Sequence, residues 1–317
     1  MPKHKVILNP ISGRGFAGRA RPLIEKTLHE LGVEFDLVCS ERPWHAAELA
    51  QQAAREGYAV VVAAGGDGTA NEVLNGLMLA AEAADAARSP KPAAALGVLG
   101  IGRGNDFAYG LGVPSGVEAG CQILARGERR RMDVGWVAGG LYPQGRYFGN
   151  GVGIGFDAVV GFEAVKLAPL SGFASYIVAA LKTIFLYELA PKVQLEYNGQ
   201  AVTQPSLMVS VMNGRRLGGG FYTAPEARTD DAVFDVCIAG EASQWHVLQL
   251  LVRFTRGTQV GDPAIRYERT DRIVVSSLDR GLPAHLDGET LCVDGRQLAI
   301  ELRPAALEAV CPVAGVA

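Results

Sequence analysis

Along the first third of the chain, apolar residues gather in short runs separated by stretches in which they recur every three or four positions. The runs are KVILN (5–9), VEFDLVC (33–39), YAVVVAA (58–64) and AALGVLG (94–100), which read as buried strands. The stretch up to about Leu31 reads as a helix, as does an Ala-, Glu- and Gln-rich stretch from about Pro43 to Glu56. Proline at a helix start is favourable, because its missing N–H has no partner there in any case. Strands alternating with helices predict a parallel, doubly wound sheet, since parallel neighbours need crossover connections. The segment AAEAADAARSPKPAA (80–94) reads as an exposed Ala-rich connector.

Beyond Met132 the pattern changes to shorter, β-rich text: DVGWVA, RYFGNGVGIG, KVQLEYNG, SLMVSVMN, VFDVCIAG and DRIVVSS, with turn signals at Asn198-Gly199 and Asn213-Gly214. This predicts a second domain of mostly antiparallel strands with a few helices, including 172–188 and 243–256. The boundary falls after residue 132, the β-rich domain covers 133–299, and the final segment 300–317 returns to the first domain. A chain of 317 residues suits two domains.

Composition narrows the class. Apolar residues make up 49% and charged residues 20%, the balance of a globular protein. A formal net charge of −3 argues against a protein that works by neutralising nucleic-acid phosphates. ERRRM (128–132) reads as a solvated turn before a strand, with a contact to acidic lipids as the alternative. Five isolated cysteines, without a CxxC pair, suit a reducing cytosol. MPKHKVILNP has no apolar signal core and moves straight into a strand. The apolar segment 167–190 is interrupted by Pro169, Ser171 and Gly172 and carries Lys182, so it reads as a buried helix rather than a membrane span.

Candidate chemistry lies where the predicted strands end, the rim on which ligands of such sheets bind. NPISGRG (9–15) offers backbone N–H groups at a helix start, suited to a phosphate, although a plain turn has the same composition. GGDGT (65–69) places a carboxylate among glycines that would pass under phosphates. Asp67 would repel those phosphates unless a divalent cation intervenes or it meets a ribose hydroxyl. The alternative is that it caps a helix starting near Thr69. In GIGRGNDFA (100–108), Asn105 and Asp106 either cap a helix or bind a metal-linked water and a nucleotide edge. HLDGETLCVDGRQ (285–297) holds two Asp-Gly pairs, each a hairpin-turn signal. Asp230, Asp231 and Asp235 form an acidic cluster, either a solvated edge or an oxygen-ligand ion site. The five histidines show no metal-ligand spacing and read as scattered structural or surface residues.

NPISGRG, GGDGTANEVLNG, GRGNDFA, GNGVGIGFDA, LGGGFYTAPEARTDDAVFDV and HLDGE together resemble, in order and spacing, the diacylglycerol-kinase catalytic family in its soluble bacterial lipid-kinase branch. The resemblance runs from about Lys5 to Pro312 and extends more distantly to sphingosine, ceramide and NAD kinases. It implies an α/β nucleotide domain, a larger, mostly antiparallel β-sandwich domain and an active site in the cleft between them. ATP would lie on Asn9, Ser12 and Gly13 and on Gly65, Gly66, Asp67, Gly68 and Thr69, with Gly104 and Asn105 on a third side. The family's Asp-Gly-Glu motif falls on Asp287, Gly288 and Glu289. Asp287 would be the general base and Glu289 its supporting carboxylate. Asp67 and Asp106 would order Mg2+, and Asp231 with the Val233 carbonyl would hold a structural ion.

The implied reaction is in-line phosphoryl transfer from ATP to a lipid hydroxyl, most simply diacylglycerol, at a membrane surface. The implied localisation is cytoplasmic, with transient contact at the inner membrane face. A homodimer is compatible with the sequence. Two departures stand out. Arg103 occupies a position where the family favours threonine, and Ala232 replaces the glycine of an Asp-Asp-Gly motif, where a glycine-only backbone angle would strain alanine. Two other readings compete: NAD-kinase-like phosphorylation of a soluble acceptor, and a non-catalytic lipid- or nucleotide-binding regulator on the same fold.

Overall fold

A computed structural model describes residues 3–88, 94–167, 173–186 and 190–312. The chain divides into two compact units, Met1–Met132 with Ala305–Ala317, and Asp133–Pro304.

The first unit alternates strand and helix: β1 (His4–Leu8), α1 (Ser12–Glu30), β2 (Phe35–Cys39), α2 (His45–Arg55), β3 (Val60–Gly65), α3 (Asp67–Ala86), β4 (Ala95–Gly100), α4 (Asp106–Gly110) and α5 (Val117–Arg126). The strands pair in parallel in the order β2-β1-β3-β4. β3 is buried along its whole length, as a strand covered on both faces must be. α1 packs with α5, and α2 with α3. α1 presents Ala17, Ala20, Ile24 and Leu28 to the core, a three- and four-residue spacing that keeps them on one face. The Ala-rich text predicted as a connector is helical as far as Ala86, because α3 runs on through strong helix formers. Residues 89–93 of that prediction lie outside the described residues.

The second unit follows: β5 (Arg129–Gly139), β6 (Tyr142–Phe148), β7 (Gly151–Gly155), α6 (Phe156–Lys166), α7 (Phe173–Leu186), β8 (Lys192–Tyr197), β9 (Gln200–Pro205), β10 (Met208–Met212), β11 (Phe234–Ala239), α8 (Gln244–Arg256), β12 (Ile265–Thr270), β13 (Arg272–Ser277), β14 (Leu282–Leu286), β15 (Glu289–Gly295) and β16 (Gln297–Val310). One sheet pairs β16, β13, β8 and β9, with β5 and β6 beside β16. The other is antiparallel throughout, in the order β12-β11-β10-β7-β14-β15. Alternate residues of this second sheet, including Val152, Ile154, Val209, Val211, Val236, Ile238 and Leu286, meet Leu195, Val275, Leu298 and Ile300 of the first in a buried apolar core. Its opposite face carries Met208, Cys237, Ala239 and Ile265 and is covered by α6, α7 and α8. The predicted helix 172–188 is observed as α7, and residues 168–172 and 187–189 are outside the described set.

β16 begins in the second unit and ends in the first, where Ala309 pairs in parallel with Leu96. Asn198-Gly199 closes the β8–β9 hairpin with both residues at positive φ, the turn that Asn-Gly favours. The second Asp-Gly pair, Asp294-Gly295, makes no hairpin. It ends β15, and the chain there leaves one sheet for the other.

Candidate active site

In the first unit, three glycine loops converge. A Cβ on Gly13 would sit 2.7 Å from the Ile101 carbonyl oxygen, and one on Gly102 would sit 2.4 Å from Gly66 Cα. The chain therefore approaches itself there more closely than any side chain permits. Gly13, Arg14 and Gly15 all adopt left-handed angles, so the regular part of α1 starts only after a tight loop. Asn9 Nδ2 donates to Thr69 Oγ1 at 3.0 Å, Ser12 Oγ lies 3.5 Å from the same hydroxyl, and the Gly66 N–H points to Ser12 Oγ at 3.4 Å. Asn9, Ser12, Gly13, Gly65, Gly66 and Thr69 thus form one surface, and Gly68 follows within the first turn of α3. Asn105, at φ 53, accepts the Gly102 N–H on Oδ1 at 2.7 Å and folds the third loop, which includes Gly104.

Asp67 is the first residue of α3. Its Oδ1 accepts the Phe107 N–H at 2.9 Å, so it caps α4, the short helix that starts at Asp106. That bond brings Asp67 beside the buried Asp106. Arg103 is exposed, on the outside of its loop. The loop array fits a nucleotide triphosphate. Glycines let the three loops pack closer than side chains would allow, a helix start lies among them, and the Asp67 and Asp106 carboxylates beside it are of the kind a cation would need.

In the second unit, Asp287 and Gly288 form the two-residue turn between β14 and β15, at φ 44 and 84. The hairpin signal was correct, and the turn also has a second duty. The Asp287 carboxylate points inward and accepts three backbone N–H groups, from Gly149 (2.9 Å), Asn150 (3.0 Å) and Gly151 (2.9 Å). It is buried and locks the GNG segment before β7. Asn213 holds the same segment through Nδ2, which donates to the carbonyls of Gly149 (2.8 Å) and Asp133 (2.9 Å). Glu289 is paired with the buried Arg146 at 2.6 Å. Arg146 was not singled out from sequence, where it appears only as one basic residue in a strand.

The acidic cluster is structured. Arg269 bonds to Asp231 and lies 3.6 Å from Asp235, while Arg228 meets Asp230 at 3.1 Å. Ala232 takes φ 62, a left-handed angle that favours glycine, and its N–H donates to Asp133 Oδ2 at 2.7 Å. Oδ1 of Asp231 and Oδ2 of Asp235 are buried without a hydrogen-bond partner, and burial raises the Asp235 carboxyl above the usual carboxylate range. These two orphaned oxygens are of the hard, anionic type that a divalent cation takes as ligands. Among the described residues no group of three or more acidic, His or Cys side chains is close enough to hold a metal.

Two family models cover most of this chain. The diacylglycerol kinase catalytic domain matches residues 3–137, and the YegS C-terminal NAD kinase beta sandwich-like domain matches residues 150–311. This chain belongs to the diacylglycerol kinase family. A diacylglycerol kinase of Bacillus subtilis (strain 168) is 28% identical over 292 residues, covering 91% of this chain and 90% of its own. One from Staphylococcus carnosus (strain TM300) is 26% identical over 291 residues, covering 90% and 88%. The crystal structure of a diacylglycerol kinase from Bacillus anthracis str. Sterne shares the fold, with a TM-score of 0.72 at 20% identity, covering 99% of this chain and 98% of that one.

Proposed function

We propose that this lipid kinase uses ATP and Mg2+ and phosphorylates the hydroxyl of diacylglycerol or a close relative. The class of enzyme comes with family membership, and the nucleotide, ion and acceptor are the added reading. The observation that carries it is the contact of three glycine loops stitched by Asn9, Ser12 and Thr69. Asn9, Ser12, Gly13, Gly65 to Thr69, Gly104 and Asn105 would hold the triphosphate, and Asp67 and Asp106 would hold the ion beside it. The bound nucleotide and ion supply the transferable phosphoryl group and neutralise charge developing on it.

The work of this chain's own residues is positioning and proton transfer. Asp287 takes the proton of the acceptor hydroxyl on a carboxylate held in place by three N–H donors. Glu289 is held by Arg146. A structural ion would be held by Asp231 and the Val233 carbonyl, with Asp235 beside them. A diacylglycerol resides in a bilayer, and no described helix is long and apolar enough to cross one, so contact with the inner membrane face is peripheral and transient.

The test is transfer of labelled γ-phosphate to a lipid panel in mixed micelles, comparing wild type with Asp287→Asn. Transfer that falls by about a hundredfold or more in a folded Asn variant supports the base assignment. Equal activity in both would remove it. Transfer to a soluble dinucleotide and to no lipid would sink the acceptor assignment.

A further inference from the structure

Arg146 stands where an apolar residue belongs. Side chains on a strand alternate between faces, so Arg146 shares its face of β6 with Phe148, which is wholly buried in the sandwich core. Its register partner on β5, Val137, is wholly buried in the same core. The Arg146 side chain is accordingly 5% exposed, against 35% for its partner Glu289. Burying a guanidinium costs free energy that a single ion pair does not fully return, and an apolar side chain of similar volume serves a fold as well or better. Stability alone gives no reason for an arginine here.

The reason lies in what the arginine holds. Arg146 Nη2 donates to Glu289 Oε2 at 2.6 Å. Its Nη1 donates to the Tyr142 hydroxyl, and the guanidinium carbon lies 4.7 Å from the centroid of the Tyr142 ring, earlier on the same face of β6. Tyr142 thus steadies the guanidinium, and the guanidinium steadies the carboxylate. Glu289 opens β15, directly after the Asp287-Gly288 turn. Asp287 accepts the N–H groups of Gly149, Asn150 and Gly151, and its own N–H donates to the Gly151 carbonyl at 3.0 Å. Both carboxylates of the turn therefore grip residues 146–151, the stretch in which the chain crosses from β6 in one sheet to β7 in the other. The Asp287 grip fixes where the turn sits. The Arg146–Glu289 pair adds a second point of attachment, which stops the turn from pivoting about the first.

Resting on the lipid-kinase reading, we infer that Arg146 is a positioning residue for phosphoryl transfer. Through Glu289 it fixes the orientation of the Asp-Gly-Glu turn, and so the angle at which Asp287 meets the acceptor hydroxyl. Arg146 acts on the reaction only through Glu289, and Tyr142 acts only through Arg146.

The experiment measures transfer of labelled γ-phosphate to diacylglycerol in mixed micelles for wild type, Arg146→Met, Arg146→Lys, Glu289→Ala and the Arg146→Met/Glu289→Ala double variant, each checked for a cooperative melt. Arg146→Met is expected to lower kcat by roughly tenfold to a hundredfold, the effect of misplacing a reacting group, with the KM for ATP unchanged. Its melting temperature stays at or above that of wild type, because Glu289 can turn to water and the core gains an apolar side chain. Arg146→Lys keeps the charge and recovers part of the loss. The double variant loses no more than the worse single one, since the two residues act as a unit. A kcat of folded Arg146→Met within about twofold of wild type overturns the inference, as do losses that multiply in the double variant or a lysine no better than methionine. If Arg146→Met does not fold, Arg146→Lys takes its place in the same cycle with Glu289→Ala. If wild type phosphorylates no lipid, the lipid-kinase reading fails separately, and amide hydrogen exchange then tests the clamp. Amides of Asp287 and residues 149–151 that exchange about tenfold faster in Arg146→Met, with the rest of the chain unchanged, support it, and unchanged exchange there overturns it.

Discussion

Ala232 is the residue whose cost is easiest to state. At φ 62 an L-side chain crowds its own carbonyl, a strain of about 1 kcal/mol per residue. Ala232→Gly is therefore expected to raise unfolding free energy by about that amount, read from the midpoint of urea denaturation at constant slope. His285 makes a pH-dependent prediction. Asp157 and Asp287 face it and favour its charged form, but burial outweighs them and holds the folded imidazole below its ordinary value of 6.5. As pH falls past 6.5 the unfolded chain takes up a proton that the fold refuses, and stability declines until the folded imidazole titrates as well. Between about pH 7.5 and about pH 5, wild type should lose more melting temperature than His285→Gln, which has no such proton to take up. Parallel curves for the two proteins would mean that the imidazole titrates freely.

At the scale of elements, the glycine loops were legible because each follows a short buried run and carries residues that only a close backbone approach requires. The duty of Asp67 was not legible, because its partner, Phe107, lies forty residues away. This separates two roles experimentally. Asp67→Ala should cost about 1 kcal/mol of stability by uncapping α4, whereas Asp67→Asn keeps an acceptor oxygen and should cost little. Both should lower phosphoryl transfer if the carboxylate also serves the cation, and a fully active Asn variant would confine Asp67 to capping. The place of His285 was hidden for the same reason. Strand register is set by pairings distant in sequence, so a histidine read as scattered stands in line with Gly153 and Ser210 across three strands. Asp294-Gly295 shows the converse error, where a sound local turn signal is overridden by a chain that must change sheets.

For the whole molecule, the change in hydrophobic period near Met132 was readable in the sequence, whereas the return of the final segment to the first unit was an expectation resting on an apolar stretch alone. The end of β16 completes the first unit through the Ala309–Leu96 pairing, the Cys311 N–H bond to the Glu128 carbonyl at 3.1 Å and the Arg129–Glu308 ion pair at 3.3 Å. A chain cut after Pro304 should consequently lose the cooperative melt of the first unit while the second retains its own, measurable by calorimetry and by protease protection of residues 133–304. A single undisturbed transition in the truncated protein would contradict this. The same return has a consequence for the timing of folding. A ribosome delivers the glycine loops before the second unit, yet the strand that closes their sheet emerges only after the whole of that unit. The first unit to be made is thus the last to be finished, and during synthesis the β4 edge waits exposed for a partner still being translated.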